Sequence, residues 1–204
     1  VADVKAKNNK GKTPLHIACI NGQTNAASIL IPLTSDINTK DNEGKTSLHD
    51  ACNFWDIELI TLLIENGADV NAKDSDSRTP LHEAASSKWS NNKNISFLLE
   101  NGADVNAKDN KGRIPLHDAC HIWDLNLFNL LIKNGADVNA VDNDNTTPLH
   151  IAAFHNNSKT IKFLIQNEAE INFKNNKGEK PLDVALNNGN NEAAMMILKL
   201  SKNK

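Results

Sequence analysis

The stretch NGADVNAKDNKGRIPLHDAC, residues 101–120, contains both phrases that recur along this chain. TPLH and its variants begin at Thr13, Thr46, Thr79, Ile114, Thr147 and Lys180, in steps of 33, 33, 35, 33 and 33 residues. NGADVNAKD and related phrases begin at Ser35, Asn66, Asn101, Asn134 and Asn167. A fixed period of this length indicates a repeat protein, because a short unit has to stack on its neighbours to bury its apolar side chains.

Each unit predicts two helices joined by a short turn. The Thr of TPLH can cap the N–H groups at a helix start, and Pro in the first turn breaks no helical hydrogen bond. The stretch IELITLLIENGAD, which begins at Ile57, has the i, i+3, i+4 apolar spacing of a second helix. Gly67, Gly102 and Gly135 are expected to end that helix, and the polar residues 109–113 to turn the chain toward the next unit.

At their common period, over nearly all 204 residues, these phrases resemble the ankyrin repeat family. The expected fold is an all-α, ankyrin-repeat α-solenoid of six stacked helix-turn-helix units with projecting β-hairpin-like loops. We predict a single domain over residues 1–204, with units at about 8–40, 41–73, 74–108, 109–141, 142–174 and 175–204. Residues 1–7 are interpreted as the tail of a preceding partial unit, and the protein is expected to be a monomer.

Composition restricts the classes of partner. The formal net charge is −3 and the pI is near 6.2, which disfavours nucleic acid because binding phosphates requires an excess of Lys and Arg. No apolar run approaches the roughly eighteen residues of a membrane span, so no membrane insertion is predicted. Three cysteines favour a reducing compartment, cytoplasm or nucleus, with delivery into a host cell as an open alternative.

Several recurring residues superficially resemble catalytic groups. They are the TPLH histidines, the cysteines that alternate with Ala, and carboxylate pairs such as Asp69 and Asp74. Because they recur with the unit, we predict that the histidines hydrogen-bond to their own Thr and to a neighbouring loop, and that the cysteines are small buried residues. No glycine-rich phosphate-binding phrase is present. The sequence predicts no catalytic, cofactor-binding or metal-binding residue.

The resemblance implies that a partner protein binds the loop tips and the exposed side of the first helices, which together form a concave groove. The residue before each TPLH motif is Lys12, Lys45, Arg78 and Arg113 in the first four units. This row of cations is hypothesised to attract an acidic or phosphorylated segment. The alternative is that Asp41, Asp74, Asp109 and Asp142 balance these charges.

The three tryptophans are expected at one end of successive helix pairs. Trp55 and Trp123 occupy the turn position that holds Gly22, Asn156 and Gly189 in other units. Trp takes left-handed φ only at a cost, so we predict a rebuilt turn in both copies, with Asp56 and Asp124 capping the next helix. Trp89 lies in the two-residue insertion of the third unit, in the corresponding turn.

Two interpretations of this tryptophan row remain open. The indoles either pack over the rebuilt turns or anchor the apolar side chains of a partner. The full set of predicted partner-binding residues is Lys12, Lys45, Phe54, Trp55, Arg78, Trp89, Arg113, His121, Ile122, Trp123, Phe154 and His155.

The predicted function is non-catalytic protein binding, with two alternatives. The chain is alternatively the targeting domain of a larger enzyme or host-directed effector whose catalytic part lies outside it. As a third reading, Asn71, Asn106 and Asn139 resemble ankyrin asparagines that a dioxygenase hydroxylates. Departures from the repeat predict local changes: Ser77 and Asn145 replace a loop glycine, Ser47 replaces the motif proline, and Asp183 replaces the motif histidine.

Overall fold

The computed structural model describes residues 3–53, 56–88 and 92–202. These residues form twelve α-helices and one 3₁₀ turn at Ile31–Leu33, and they contain no strand, which confirms the all-α class. The helices are α1 Pro14–Ile20, α2 Thr24–Leu30, α3 Ser47–Ala51, α4 Ile57–Glu65, α5 Pro80–Ser86, α6 Asn92–Glu100, α7 Pro115–Ala119, α8 Leu125–Lys133, α9 Pro148–Phe154, α10 Ser158–Gln166, α11 Pro181–Asn187 and α12 Asn191–Ser201. The count of six repeat units and their boundaries stay predictions.

The motif residues start the odd-numbered helices as expected. At α1 the backbone N–H of Thr13 donates to His16 Nδ1 at 3.2 Å, and the Thr13 hydroxyl accepts from the backbone N–H of His16 at 3.4 Å. At the start of α3 the backbone N–H of Thr46 likewise donates to His49 Nδ1 at 3.2 Å, although Ser47 replaces proline. At α11 the backbone N–H of Lys180 donates to the carboxylate of Asp183 at 2.9 Å. Both departures from the motif therefore keep a capping contact.

The second ring nitrogen of each motif histidine reaches the next loop. Nε2 lies 3.1 Å from the Lys45 carbonyl oxygen in His16 and 3.1 Å from the Arg78 carbonyl oxygen in His49. Because Nδ1 accepts from a backbone N–H, Nε2 carries the proton and donates, so the ring is neutral. The predicted structural role of these two histidines is confirmed.

The chain divides into two compact units, each of which contains several helix pairs. The N-terminal unit ends at Asn110, and the C-terminal unit begins at Lys111. In the N-terminal unit α1, α3 and α5 pack side by side as one layer, and α2, α4 and α6 pack as the second. In the C-terminal unit α7, α9 and α11 form one layer, and α8, α10 and α12 form the other. Within each unit, every odd-numbered helix packs on the even-numbered helix that follows it.

Small side chains lie where the first helices approach one another. Ala51, Ala84 and Ala119 are fully buried, as are Cys19 and Cys52. Burial raises the pKa of the Cys19 thiol to about 12 and that of Cys52 further. The cysteines are free thiols and small core residues, as the sequence predicted.

The loops between helix pairs are tight turns that contact one another. In the loop at 41–45, the backbone N–H of Asp41 donates to the Lys45 carbonyl at 2.9 Å. A Cβ at Gly44, which has φ +75°, would lie 2.7 Å from the backbone nitrogen of Ser75 in the next loop. Ser77 and Asn145 take φ +59° and +55° at the equivalent position. The expectation that these two substitutions change the tips is therefore wrong for the backbone, which keeps the left-handed conformation of glycine.

Candidate functional site

Trp123 occupies the turn between α7 and α8 and takes φ +63°. The same turn has φ +62° at Gly22, +54° at Asn156 and +69° at Gly189. The predicted rebuilding of this turn is therefore wrong for the φ of Trp123, since the tryptophan adopts the conformation of the glycine that it replaces. However, α7 ends at Ala119, two residues before the equivalent ends of α1 and α9. The helix on each side of the turn is held by packing, and this packing overrides the local preference of Trp for negative φ.

The predicted caps after these turns are confirmed. The Asp124 carboxylate accepts from the backbone N–H of Asn126 at 2.8 Å and starts α8. The Asp56 carboxylate accepts from the backbone N–H groups of Glu58 at 3.0 Å and Leu59 at 3.2 Å and starts α4.

The Trp123 side chain is 62% exposed. An indole this exposed covers little of the turn beneath it, which weighs against the packing interpretation, and both interpretations stay predictions. Phe54, Trp55 and Trp89 lie outside the described residues, and the row of three tryptophans stays a prediction.

The cations of the N-terminal unit do not form an uncompensated row. Lys12 Nζ lies 2.6 Å from the carboxylate of Asp41 and 3.1 Å from that of Asp50. Lys45 Nζ lies 3.7 Å from the carboxylate of Glu83. Each of these two lysines reaches forward to a carboxylate on the first helix of the next repeat.

Glu83 also pairs with the third cation. Arg78 Nε donates to the Glu83 carboxylate at 3.1 Å, and a second Arg78 nitrogen lies 3.7 Å from the carboxylate of Asp109. Burial alone would raise the pKa of Glu83, but Lys45 and Arg78 lower it on balance. Burial raises the pKa of Asp50 to about 6 although Lys12 opposes this.

Arg113, in the C-terminal unit, lies 3.7 Å from the carboxylate of Asp118. The predicted balance of charge is confirmed for Asp41 and Asp109, but sequence reasoning missed Asp50, Glu83 and Asp118. All three directly follow the motif histidine, at the position that holds Ile17, Ile151 and Val184 in other repeats. The steering of an acidic segment by these cations stays a prediction, and the ion pairs weigh against it.

The last two repeats, in the C-terminal unit, have a different surface at the same motif positions. Ile151 and Val184 replace the carboxylates, while Thr146 and Glu179 replace the cations. A cavity of about 450 Å³ opens there on the first-helix side, lined by Ile151, Phe154, Val184, His121, His155, Glu179 and neighbouring polar residues. The side chain of Phe154 is 54% exposed.

Two predicted histidines meet in this cavity. The ring centroids of His121 and His155 lie 4.8 Å apart with the rings nearly perpendicular, and Phe154 packs edge-on against His155 at 5.2 Å. Burial lowers the pKa of His121, and Arg113 lowers it further. Burial and His121 lower the pKa of His155. The structure therefore brings His121, Phe154 and His155 together, with Ile122 half-buried beside Trp123 on the turn that follows His121.

The family model described as Ankyrin repeats (3 copies) matches residues 1–74, 56–142 and 116–204. The chain belongs to the ankyrin repeat family. A search of curated proteins gives no significant match. Ankyrin repeats are generally non-catalytic modules that bind other proteins.

Groups that resemble catalytic residues have structural roles in this ankyrin protein. The motif histidines bond to backbone groups on both sides, and burial raises the pKa of the Cys120 thiol. Within residues 3–53, 56–88 and 92–202, no three His, Cys, Asp or Glu side chains are placed to hold a metal ion. Over the same residues, no helix is long and apolar enough to cross a membrane.

Proposed function

We propose that this ankyrin-repeat chain is a non-catalytic protein-binding module whose principal partner contacts lie on the C-terminal unit. The proposed contacts are Trp123, at the turn after α7, and His121, Ile122, Phe154 and His155. Phe54, Trp55 and Trp89 are proposed as further contacts because they occupy corresponding positions in the sequence.

The observation that carries this proposal is the backbone of Trp123. A left-handed φ at tryptophan costs about 1 kcal/mol relative to glycine, and the exposed indole regains little of that cost by packing. Strain retained at an exposed aromatic residue favours a role outside folding. Trp is also the residue type most enriched at binding hot spots.

The buried groups support a role without chemistry. A thiol whose pKa is raised is a poor nucleophile, and a neutral histidine bonded at both nitrogens is not available as a general base. Free buried thiols are typical of a reducing compartment, and we place the protein in the cytoplasm or nucleus. The modest negative charge supports a protein partner over nucleic acid.

Quantitative affinity enrichment from a lysate of the source organism tests the proposal. The baits are the wild-type chain, the double variant Trp123→Gly/Phe154→Ala, and the control Ile29→Ala. Ile29 is 68% exposed on α2, so the control removes an equally exposed apolar side chain from a second helix. Thermal melts of all three establish that each bait is folded.

We expect the double variant to lose proteins that the wild type and the control both retain, with no decrease in melting temperature that would explain the loss. If all three baits retain the same proteins, the proposed contacts are wrong. If the wild type enriches nothing above a blank matrix, the binding function itself is contradicted.

A further inference from the structure

The chemistry of the motif changes between the earlier repeats and the last two repeats. In the N-terminal unit the residue before the motif is a cation, and in two repeats the residue after the motif histidine is a carboxylate that pairs with such cations. In the last two repeats the residue before the motif is Thr146 or Glu179, and the residue after the histidine position is Ile151 or Val184. At positions that are charged in earlier repeats, the last two repeats therefore carry two aliphatic side chains and one carboxylate. The two aliphatic side chains and the neighbouring Phe154 are called the apolar wall.

The apolar wall is accessible at Ile151 and Phe154. Ile151 is partly exposed and lines the cavity of about 450 Å³ together with the half-exposed ring of Phe154, while Val184 is buried at its base. This volume falls in the range of about 300–1,000 Å³ typical of ligand pockets, so a short peptide segment fits it better than a folded element. Burying an aliphatic or aromatic side chain against these three residues is favourable because it removes apolar surface of both partners from water.

The Glu179 carboxylate at the edge of this cavity is oriented by two side-chain amides. One oxygen accepts from the Asn187 side-chain amide at 2.8 Å, and the other accepts from the Asn175 amide at 3.1 Å. These two amides lower the pKa of Glu179, so it is ionised at neutral pH. Among the described residues, no Lys or Arg nitrogen lies within 4 Å of it.

The other charged groups around the cavity are few. Lys177 lies at its loop edge, and its positive charge also lowers the pKa of Glu179, whereas the charge of Asp183 raises it. His121 and His155 have lowered pKa values and are neutral at pH 7. Glu179 is therefore the fixed negative charge at this site, and it is placed beside an apolar wall.

We propose that this cavity binds a segment of a partner protein in which an apolar side chain lies close to a Lys or Arg. The apolar side chain packs against Ile151, Phe154 and Val184, and the cation pairs with Glu179. The amides of Asn175 and Asn187 hold the carboxylate in place, so little side-chain freedom is lost on binding. This inference rests on the proposed protein-binding function and names the chemistry of the partner.

A library of random twelve-residue peptides displayed on phage, selected against the full chain, tests the inference. Synthetic copies of the enriched peptides are then titrated by fluorescence anisotropy against the wild type, Glu179→Gln and Glu170→Gln. Glu170 is an exposed glutamate of the same unit outside this cavity, so its variant makes the same change of charge elsewhere. A third variant, Ile151→Thr, replaces a partly exposed side chain of the apolar wall by a polar one.

We expect the enriched peptides to combine an apolar residue with a neighbouring Lys or Arg. Glu179→Gln should raise their Kd about threefold to fivefold, because an exposed carboxylate that pairs with a cation contributes modestly to binding. Ile151→Thr should also raise the Kd, and Glu170→Gln should leave it within about twofold.

Three results would overturn the inference: acidic or uncharged consensus peptides, an unchanged Kd in Glu179→Gln, or no enriched peptide at all. None of them contradicts the proposed function, which the lysate comparison tests independently through Trp123 and Phe154. A peptide that binds the wild type and both glutamate variants equally would place the contact elsewhere on the chain.

Discussion

Lys12 Nζ lies 2.6 Å from a carboxylate oxygen of Asp41, and the Asp41 side chain is only 1% exposed. This pair joins two consecutive loops, and Lys12 also contacts Asp50 on α3. Burial raises the pKa of Asp50 to about 6, so Lys12 compensates a carboxylate that burial disfavours in its charged form. Lys12 is thus a structural cation that joins successive repeats.

Replacing Lys12 by methionine should destabilise the fold by about 3 kcal/mol, because removing one partner of a buried ion pair leaves the other charge uncompensated. Chemical denaturation of wild type, Lys12→Met and Lys10→Met measures this. Lys10 is exposed, so its variant should change the free energy of unfolding by less than about 0.5 kcal/mol. Equal stability of the two variants would show that Lys12 is free to contact a partner.

Trp123→Gly should stabilise the chain by about 1 kcal/mol, since glycine takes φ +63° without the steric cost of a Cβ. For a protein of this size, that corresponds to a melting temperature about 2–4 °C higher. Trp123→Ala is the matched control, because it removes the indole but keeps the Cβ and hence the strain. A lower melting temperature for Trp123→Gly than for the wild type would mean that the indole stabilises the fold by packing.

The sequence predicted those features of the fold that depend on residues close together in the chain. Thr13 and His16 are three residues apart, so their mutual cap follows from the motif itself. The φ of Trp123 was predicted wrongly, because residue preference was weighed without the packing of the helices on either side. Lys12 and Asp50 are 38 residues apart, and only the stacking of repeats brings them together.

The cavity of the C-terminal unit was predicted only in part. His121, Phe154 and His155 were identified as variable residues of the first helices, and they do meet. Ile151 and Val184 were not predicted, although the residue at the same position of the motif is a carboxylate in three other repeats. The orientation of Glu179 by Asn175 and Asn187 depends on side-chain geometry and has no signal in the sequence.

The free energy of unfolding should fall as the pH drops from 7.5 to 5.5. Burial lowers the pKa of His16, His49, His117 and His150 in the fold, so each protonates more readily in the unfolded chain. The stabilisation by these neutral histidines is fully present above about pH 6.5. It is lost as the pH falls through their lowered pKa values, at up to about 1.4 kcal/mol per pH unit for each histidine.

Protonation of Asp50 changes the free energy of unfolding in the opposite direction. Its pKa is raised to about 6, so the fold gains a proton there that the unfolded chain does not yet bind. Urea titrations at pH 7.5, 6.5 and 5.5 should therefore show a steeper loss of stability in Asp50→Asn than in the wild type. Stability that is flat or rises toward pH 5.5 in the wild type would contradict neutral, buried histidines.

Asn71→Ala should destabilise the chain by about 2 kcal/mol, because this exposed loop side chain bridges two repeats. Its amide donates to the Gly102 carbonyl at 2.8 Å, and its carbonyl accepts from the backbone N–H of Asp104 at 2.8 Å. Each hydrogen bond contributes about 1 kcal/mol net. Asn9→Ala, also in an exposed loop, is the control for loss of an asparagine side chain and should be nearly neutral.

The same asparagine allows a test of modification. Hydroxylation of Asn71 stays a prediction, and mass spectrometry of the native protein would detect it as an addition of about 16 Da, one oxygen. Because the side chain is held at both ends, we expect any modified fraction to rise in a variant whose repeats open more often, such as Lys12→Met. An equal modified fraction in Lys12→Met and the wild type would show that the bridge does not limit access to Asn71.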